Sequence, residues 1–357
     1  MNMILRDLLR VLGSSDRREG RNLTHDEAQR AFRAVLDGSQ SEIRIGAFLM
    51  AMRWKGVSVE ELTGFASAAR ERATMPCQGM QGLVCVSSPL DGYNNRPPLE
   101  VVASLAAAAA GARVLLISDR GVPPNRGITA ANVLEELGAP IAWDPRKAEE
   151  SVERLSFGGM ATSGMLPDLL ALRGVRGEVG VRTPLSTVEK LIFPKGSRVM
   201  LGAQAGPVLG VAVETMESLG HPAAIVLQGD AGGPVPYLRK RTRGIELSGN
   251  HQVPLSVDPS DFGLQEDFEP ELPIFGPPED GQGAGDSPLL VRAARDCVEA
   301  VLCGDQGPSR SASLLTAALI LKVGGRVPTL AEGVDLAAES LDSGAASALL
   351  EELRKRS

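Results

Sequence analysis

Apolar residues between Leu23 and Arg72 recur at spacings of three and four, and the pattern predicts three short amphipathic helices. Thr24 is placed to cap the first, and Glu27 three residues on completes a capping box. Gly38 stops that helix, Ser41 caps the next, and Gly56 ends it. Ser58 opens the third, with Glu60 and Glu61 in its first turn, where the helix dipole favours negative charge. Ile45, Phe48, Leu49 and Met52 would share one buried face.

From Leu83 the period changes. Short apolar strands (LVCVSS, ARVLLIS, FGGMAT, SRVMLGA and PAAIVLQGD) alternate with helices. The helices are LEVVASLAAAAA closed by Gly111, TAANVLEEL capped by Thr129 and closed by Gly138, Lys147 to Leu155, and Pro207 to Gly220. This alternation predicts a largely parallel sheet covered by helices. Residues 166–191 interrupt it with short helices and several arginines. Residues 264–287 are acidic and rich in Pro and Gly, and read as a mobile loop. Helices then run to the end.

Composition narrows the class. The 357 residues suffice for one large or two ordinary domains. Apolar content is 43% but aromatics are only 3%, so the core is built from Ala, Leu, Val and Ile. No apolar run suits a membrane span, and MNMILRDLLRVLG is too short and charged for a signal peptide, so the expectation is a cytoplasmic protein without membrane contact. Cys77, Cys85, Cys297 and Cys303 lack metal-binding spacing and read as buried free thiols. A net charge of −7 argues against a protein that coats nucleic acid over its whole surface and leaves room for a local basic cleft.

The order Leu-Thr, Asp-Gly, Gly-Ala-Phe-Leu-Met-Ala-Met-Arg, Lys-Gly and Glu-Glu-Leu in the N-terminal helices resembles the helical domain of the anthranilate phosphoribosyltransferases and pyrimidine nucleoside phosphorylases. SVDPSDFGL and LAEGVDLAAESLDSGAA extend the resemblance over nearly the whole chain. It implies a small all-helical domain (residues 1–76, joined in space by about 166–191) hinged to an α/β domain over 77–357 with a mostly parallel sheet. It also implies a homodimer through the helical domain, and a ligand cleft between the two domains at the carboxyl ends of the strands.

Phosphoribosyl transfer needs backbone N–H groups around a diphosphate, metal ligands, and groups that orient the acceptor. Where the family has a Gly-Thr-Gly-Gly-Asp loop, this chain has Ser87-Ser88-Pro89-Leu90-Asp91, followed by Gly92, Tyr93, Asn94 and Asn95. Where the family has Asn-x-Ser-Thr, it has Arg96-Pro97-Pro98-Leu99, with no hydroxyl. The next loop, Ser118 to Thr129, carries Arg120, Gly121 and Arg126 and ends at a helix start. Two readings stand there: an anion pocket, or solvated arginines beside an ordinary cap. The family's acidic metal pair is missing. Asp230 alone remains in Gly229-Asp230-Ala231, as a lone metal contact or a turn aspartate, so magnesium stays possible and no cofactor is assigned.

Val175-Arg176-Gly177-Glu178-Val179-Gly180-Val181-Arg182-Thr183 matches the family closely. The resemblance places Arg176 on a carboxylate acceptor; the other reading keeps this segment for domain packing. Asp91-Gly92-Tyr93-Asn94, Arg182-Thr183-Pro184 and Val188-Glu189-Lys190-Leu191 resemble a divergent, second anthranilate-phosphoribosyltransferase-like branch, some members of which bind nucleic acid. Arg239, Lys240, Arg241 and Arg243, with Arg173, Arg176 and Arg182, offer a polyanion surface, or else a solvated face. Two functions are therefore expected. One is binding of a phosphorylated small molecule at Asp91, Gly92, Asn94, Asn95, Arg120, Gly121, Arg126 and Thr129, with possible glycosyl transfer to an aromatic or heterocyclic acceptor at Arg176. The other is non-catalytic binding of nucleic acid, driven by phosphate contacts.

Overall fold

A computed structural model describes the chain except residues 1–3, 14–19, 205, 207, 274–281 and 357. The N-terminal part is four helices: α1 (Ile4–Leu12), α2 (His25–Leu36), α3 (Glu42–Lys55) and α4 (Val59–Arg72). Their starts are local chemistry. Thr24 and Ser58 each accept from the N3 backbone while Glu27 and Glu61 reach back, and Ser41 accepts from Arg44 N. Ile45, Phe48, Leu49 and Met52 are buried together, with Phe65 stacked near Phe32 at 5.2 Å.

The α/β part follows as β1 (Leu83–Ser87), α5 (Glu100–Ala109), β2 (Arg113–Ser118), α6 (Ala130–Glu136), α7 (Pro145–Leu155) and β3 (Phe157–Ala161). Four short helices come next: α8 (Thr162–Met165), α9 (Asp168–Ala171), α10 (Arg173–Val179) and α11 (Pro184–Val188). Then come β4 (Arg198–Gly202), α12 (Val208–Ser218), β5 (Ala223–Leu227), β6 (Thr242–Ser248) and β7 (His251–Val257). The chain closes with α13 (Pro288–Leu302), α14 (Pro308–Val323), α15 (Leu330–Asp342) and α16 (Ala345–Arg354).

The seven strands lie in the order β3-β2-β1-β4-β5-β6-β7. The first five are parallel, and β6 and β7 add an antiparallel hairpin. That hairpin is absent from the sequence-based expectation, although TRGIELS and HQVPLSV flank a two-residue Gly-Asn turn. Alternate side chains define two layers. Val84, Val86, Val114, Leu116 and Met200 face α5 and α14. Cys85, Leu115, Ile117, Val199 and Leu201 share a continuous core with the N-terminal helices. Cys77 and Cys85 are buried thiols, whereas Cys297 is half-buried and Cys303, at the end of α13, is exposed, against the expectation of four buried thiols. Helices α10 and α11 pack on α3, and α11 also on α4, so the inserted segment adjoins the helical bundle. The acidic stretch expected as a loop over 264–287 falls partly outside the described residues; its described part holds one short 3-10 turn at Ala284–Asp286.

Candidate functional site

The parallel strands deliver their following loops to one edge of the sheet, beside the inserted segment. The loops after β1 and β2 are zipped together. Tyr93 N donates to Ile128 O and Ile128 N to Tyr93 O, both at 2.8 Å. Gly127 N donates to Asp91 O at 2.8 Å, and Asn125 Nδ2 bonds Asp91 O and Gly92 O. Gly92 has a φ of +70°, and a Cβ there would run into the Gly127 backbone, so only glycine fits this crossing.

Three arginines of the inserted segment meet these loops, two through carboxylates and one through a backbone carbonyl. Arg182 donates to Asp91, and its own carbonyl accepts from Arg53 on α3. Arg173 pairs with Asp119 at 3.0 Å, while Asp119 also accepts from Arg120 N and Ser163 N at 2.9 Å. Arg176 pairs with Glu189, donates to Pro123 O at 2.7 Å, and bonds Ser186. Arg176 and Glu189 are 4% and 3% exposed, whereas Arg173 and Arg182 keep 35% and 38% of their side chains in reach of solvent.

A second buried cluster lies under the first loop. Ser88 Oγ donates to Glu100 at 2.6 Å and Tyr93 Oη at 3.2 Å. Burial pushes the Glu100 carboxyl up to about 7, against the two hydroxyls and nearby Lys190. Burial likewise pushes the Tyr93 phenol well up, Glu189 up against Arg176, and the Lys190 ammonium down. Gly233 of the loop after β5 abuts the Tyr93 ring, where a Cβ would collide with the phenol oxygen. Asp230 in that loop pairs with Arg96 at 2.7 Å, and burial raises its pKa against that cation. The space between Tyr93, Arg96, Asp230 and Pro236 is a void of 10 Å³, room for about one water.

The expected ligand residues are thus distributed unevenly. Asp91, Gly92, Arg173 and Arg182 share the seam. Arg120 turns outward to Glu135 at 2.6 Å, and Arg126 is exposed, with its carbonyl accepting from Gly285 N. Gly121 packs against Gly127. Asn94 and Asn95 are exposed, and Asn95 O accepts from Leu272 N at 2.8 Å. Thr129 is a buried N-cap whose hydroxyl serves Asn132, and Ser118 Oγ takes Ala131 N, so α6 spends these amides internally. Residues 239–243 follow the loop after β5: Lys240 lies over Tyr237 at 3.9 Å, Arg241 pairs with Asp258 at 3.1 Å, and Arg239 and Arg243 are exposed. The cluster of Ser88, Tyr93 and Glu100, and the role of Asp119, escaped sequence reasoning. A glutamate in the first turn of a helix otherwise made of Ala, Val, Leu and one Ser was the available signal.

A magnesium site of the kind the resemblance implies does not fit these residues. Asp230 is neutralised by Arg96, its acidic neighbours Glu269 and Glu271 are taken up by the Leu238 and Arg239 amides and by Arg96, and among the described residues no group of three His, Cys, Asp or Glu side chains is placed to hold a metal. No helix among them is long and apolar enough to cross a membrane.

Known proteins share both the sequence and the architecture. The glycosyl transferase family helical bundle domain matches residues 16–73, and the family's a/b domain matches residues 99–347. The anthranilate phosphoribosyltransferase of Rubrobacter xylanophilus is 31% identical over 350 residues, covering 98% of this chain and 96% of its own. Anthranilate phosphoribosyltransferase 2 of Streptomyces coelicolor is 31% identical over 93% and 94% of the two chains. The structure of the Thermus thermophilus anthranilate phosphoribosyltransferase superposes with a TM-score of 0.80 at 26% identity, over 99% of both chains. The Saccharomyces cerevisiae enzyme, solved in complex with PRPP and Mg, shares the fold with a TM-score of 0.79 at 16% identity, again over 99% of both. The chain belongs to the anthranilate phosphoribosyltransferase family of glycosyl transferases.

Proposed function

We propose that this protein binds a phosphate-bearing small molecule of the sugar-phosphate class at the seam between the inserted segment and the strand-end loops, without a metal-diphosphate grip. The observation that carries this reading is the pairing of Arg182 with Asp91 and Arg173 with Asp119. Both guanidiniums are partly open to solvent, and each holds a carboxylate where a ligand oxyanion would make the same charge-assisted contacts. A phosphate enters by exchanging with those carboxylates. Arg176 positions the segment from below, through Pro123 and Glu189, in place of the acceptor contact. Glycosyl transfer to an aromatic or heterocyclic acceptor is the reaction that family membership offers, and here positioning and the two cations would carry it. The 239–243 run adds no second reading, since Lys240 and Arg241 are already engaged.

The same reading includes a two-fold dimer. Ile43, Met50 and Trp54 lie seven and four residues apart on one side of α3, and Ile43 and Trp54 are 85% and 92% exposed.

Calorimetric titration with PRPP, with and without magnesium, tests the proposal. Saturable binding whose affinity changes less than about threefold with the metal is expected, against the much larger effect of a metal that bridges the diphosphate. Absence of binding, or binding only with magnesium, overturns it. A parallel titration with single-stranded DNA that binds with a steep salt slope, while PRPP does not bind, would replace it with the polyanion function.

A further inference from the structure

A second cavity lies away from the seam. It occupies 840 Å³ between α6, α7, the 139–144 connection and the end of α16. That is within the range of small-molecule sites, roughly 300–1,000 Å³. Its floor is apolar, with Ile141 and Phe157 buried. It borders β3, the outermost strand of the sheet, whose edge bonds to Ala142: Ala142 N donates to Gly159 O and Ala161 N to Ala142 O, both at 2.9 Å. Trp143 stands on the wall, 43% exposed, in a chain with only two tryptophans.

The rim is cationic. Lys147 and Arg154 are seven residues apart on α7 and therefore share a face. Neither side chain makes a hydrogen bond or ion pair among the described residues. Arg356 enters from beyond α16. The carboxylates present are mostly engaged: Glu135 holds Arg120, and Asp144 caps α7 through Arg146 N at 3.0 Å, which leaves Glu150. The groove thus gathers four cations against three carboxylates, in a protein of net charge −7. Solvated lysines on a flat face would need no explanation; unpaired cations above an apolar floor beside a half-exposed indole do.

We propose that this groove is a second ligand site, for a small organic anion with an aromatic or other apolar body. The anionic group sits between Lys147 and Arg154, and the body lies on Ile141 and Phe157 against Trp143. The site is separate from the seam: Asp119 faces Arg173 there, while its neighbour Arg120 lines the groove.

The test uses the full chain carrying Trp54→Phe, which leaves Trp143 as its only tryptophan. The probe is 8-anilinonaphthalene-1-sulfonate, with N-phenyl-1-naphthylamine as the same aromatic body without the anion. The sulfonate should quench Trp143 saturably at one equivalent, and the neutral probe should bind at least about tenfold more weakly, or about 1.4 kcal/mol. Lys147→Glu with Arg154→Glu should weaken the sulfonate by at least about tenfold at unchanged circular dichroism, and the milder Lys147→Gln with Arg154→Gln should weaken it in the same direction. Equal binding of the two probes, sulfonate binding that ignores the charge variants, or binding that leaves Trp143 emission unchanged would each overturn the proposal.

Discussion

Arg182 donates to Asp91 across 91 residues of sequence, and this one ion pair joins the inserted segment to the loop after the first strand. Asp91 is 4% exposed, and that guanidinium is its ion-pair partner. Removing the arginine leaves a buried carboxylate uncompensated. Arg182→Ala should lower stability by about 1–3 kcal/mol, discounted for the partial exposure of the arginine. It should also weaken PRPP binding at least about tenfold. Asp91→Asn acts in the opposite sense on the ligand, because it frees the cation: PRPP should bind several-fold more tightly. Chemical denaturation and calorimetry on the two variants check both signs. Weaker PRPP binding by Asp91→Asn would mean that the carboxylate itself touches the ligand.

Arg176 has the partners of a structural cation: Glu189, the Pro123 carbonyl and Ser186. Arg176→Met strands Glu189, whose carboxyl burial already pushes up, and should cost about 3–5 kcal/mol. Arg176→Met with Glu189→Met removes both charges and should recover most of that loss. Denaturation midpoints of the parent, the two single variants and the double variant measure the coupling. A double variant no more stable than Arg176→Met would dismiss the pair as the reason for the arginine.

What was legible in the sequence was mainly what is local. Thr24 with Glu27, and Ser58 with Glu61, cap helices through residues three apart, so the pattern contains its own partners. The parallel strands were legible because burial on both faces makes them continuous apolar runs. The hairpin of β6 and β7 was not, because β7 is an edge strand whose residues are largely exposed and do not alternate, with Pro254 inside it. The site divides in the same way. Asp91 stood out in the loop after the first strand, and Arg173 and Arg182 in the inserted helical segment, but their ion pairs, Arg182 with Asp91 and Arg173 with Asp119, depend on tertiary packing. Arg120 and Arg126 sit in one short loop, yet its folding against Gly127 and Gly285 gives them different surroundings.

The exposed stripe on α3 gives the dimer a direct test. Ile43 and Trp54 expose large apolar area that association would bury. Ile43→Glu with Trp54→Glu should shift the sedimentation coefficient from dimer to monomer. It should leave the melting of the isolated subunit nearly unchanged, since neither side chain contributes to the core. A parent chain that sediments as a monomer at tens of micromolar would remove the dimer from the proposed function.

Glu100 couples the loop after β1 to pH. Its carboxyl is buried with Ser88 and Tyr93, and its folded pKa of about 7 lies above the ordinary value of 4.5. Between those values the folded chain holds a proton that the unfolded chain has lost. The unfolded state therefore binds fewer protons, and stability falls as pH rises through this window. The contribution is fully present below about 4.5 and lost above about 7. Glu100→Gln keeps the shape and stays neutral at every pH, so it isolates the effect. The stability of Glu100→Gln relative to the parent should rise from pH 5 to pH 8, by up to roughly 3 kcal/mol. Urea denaturation of both proteins across that range measures the difference directly, and other titrating groups cancel in the comparison. A difference that is flat with pH would place the Glu100 proton equilibrium outside folding. One that falls would mean that the carboxylate, held by the Ser88 and Tyr93 hydroxyls with Lys190 nearby, is the form the fold prefers.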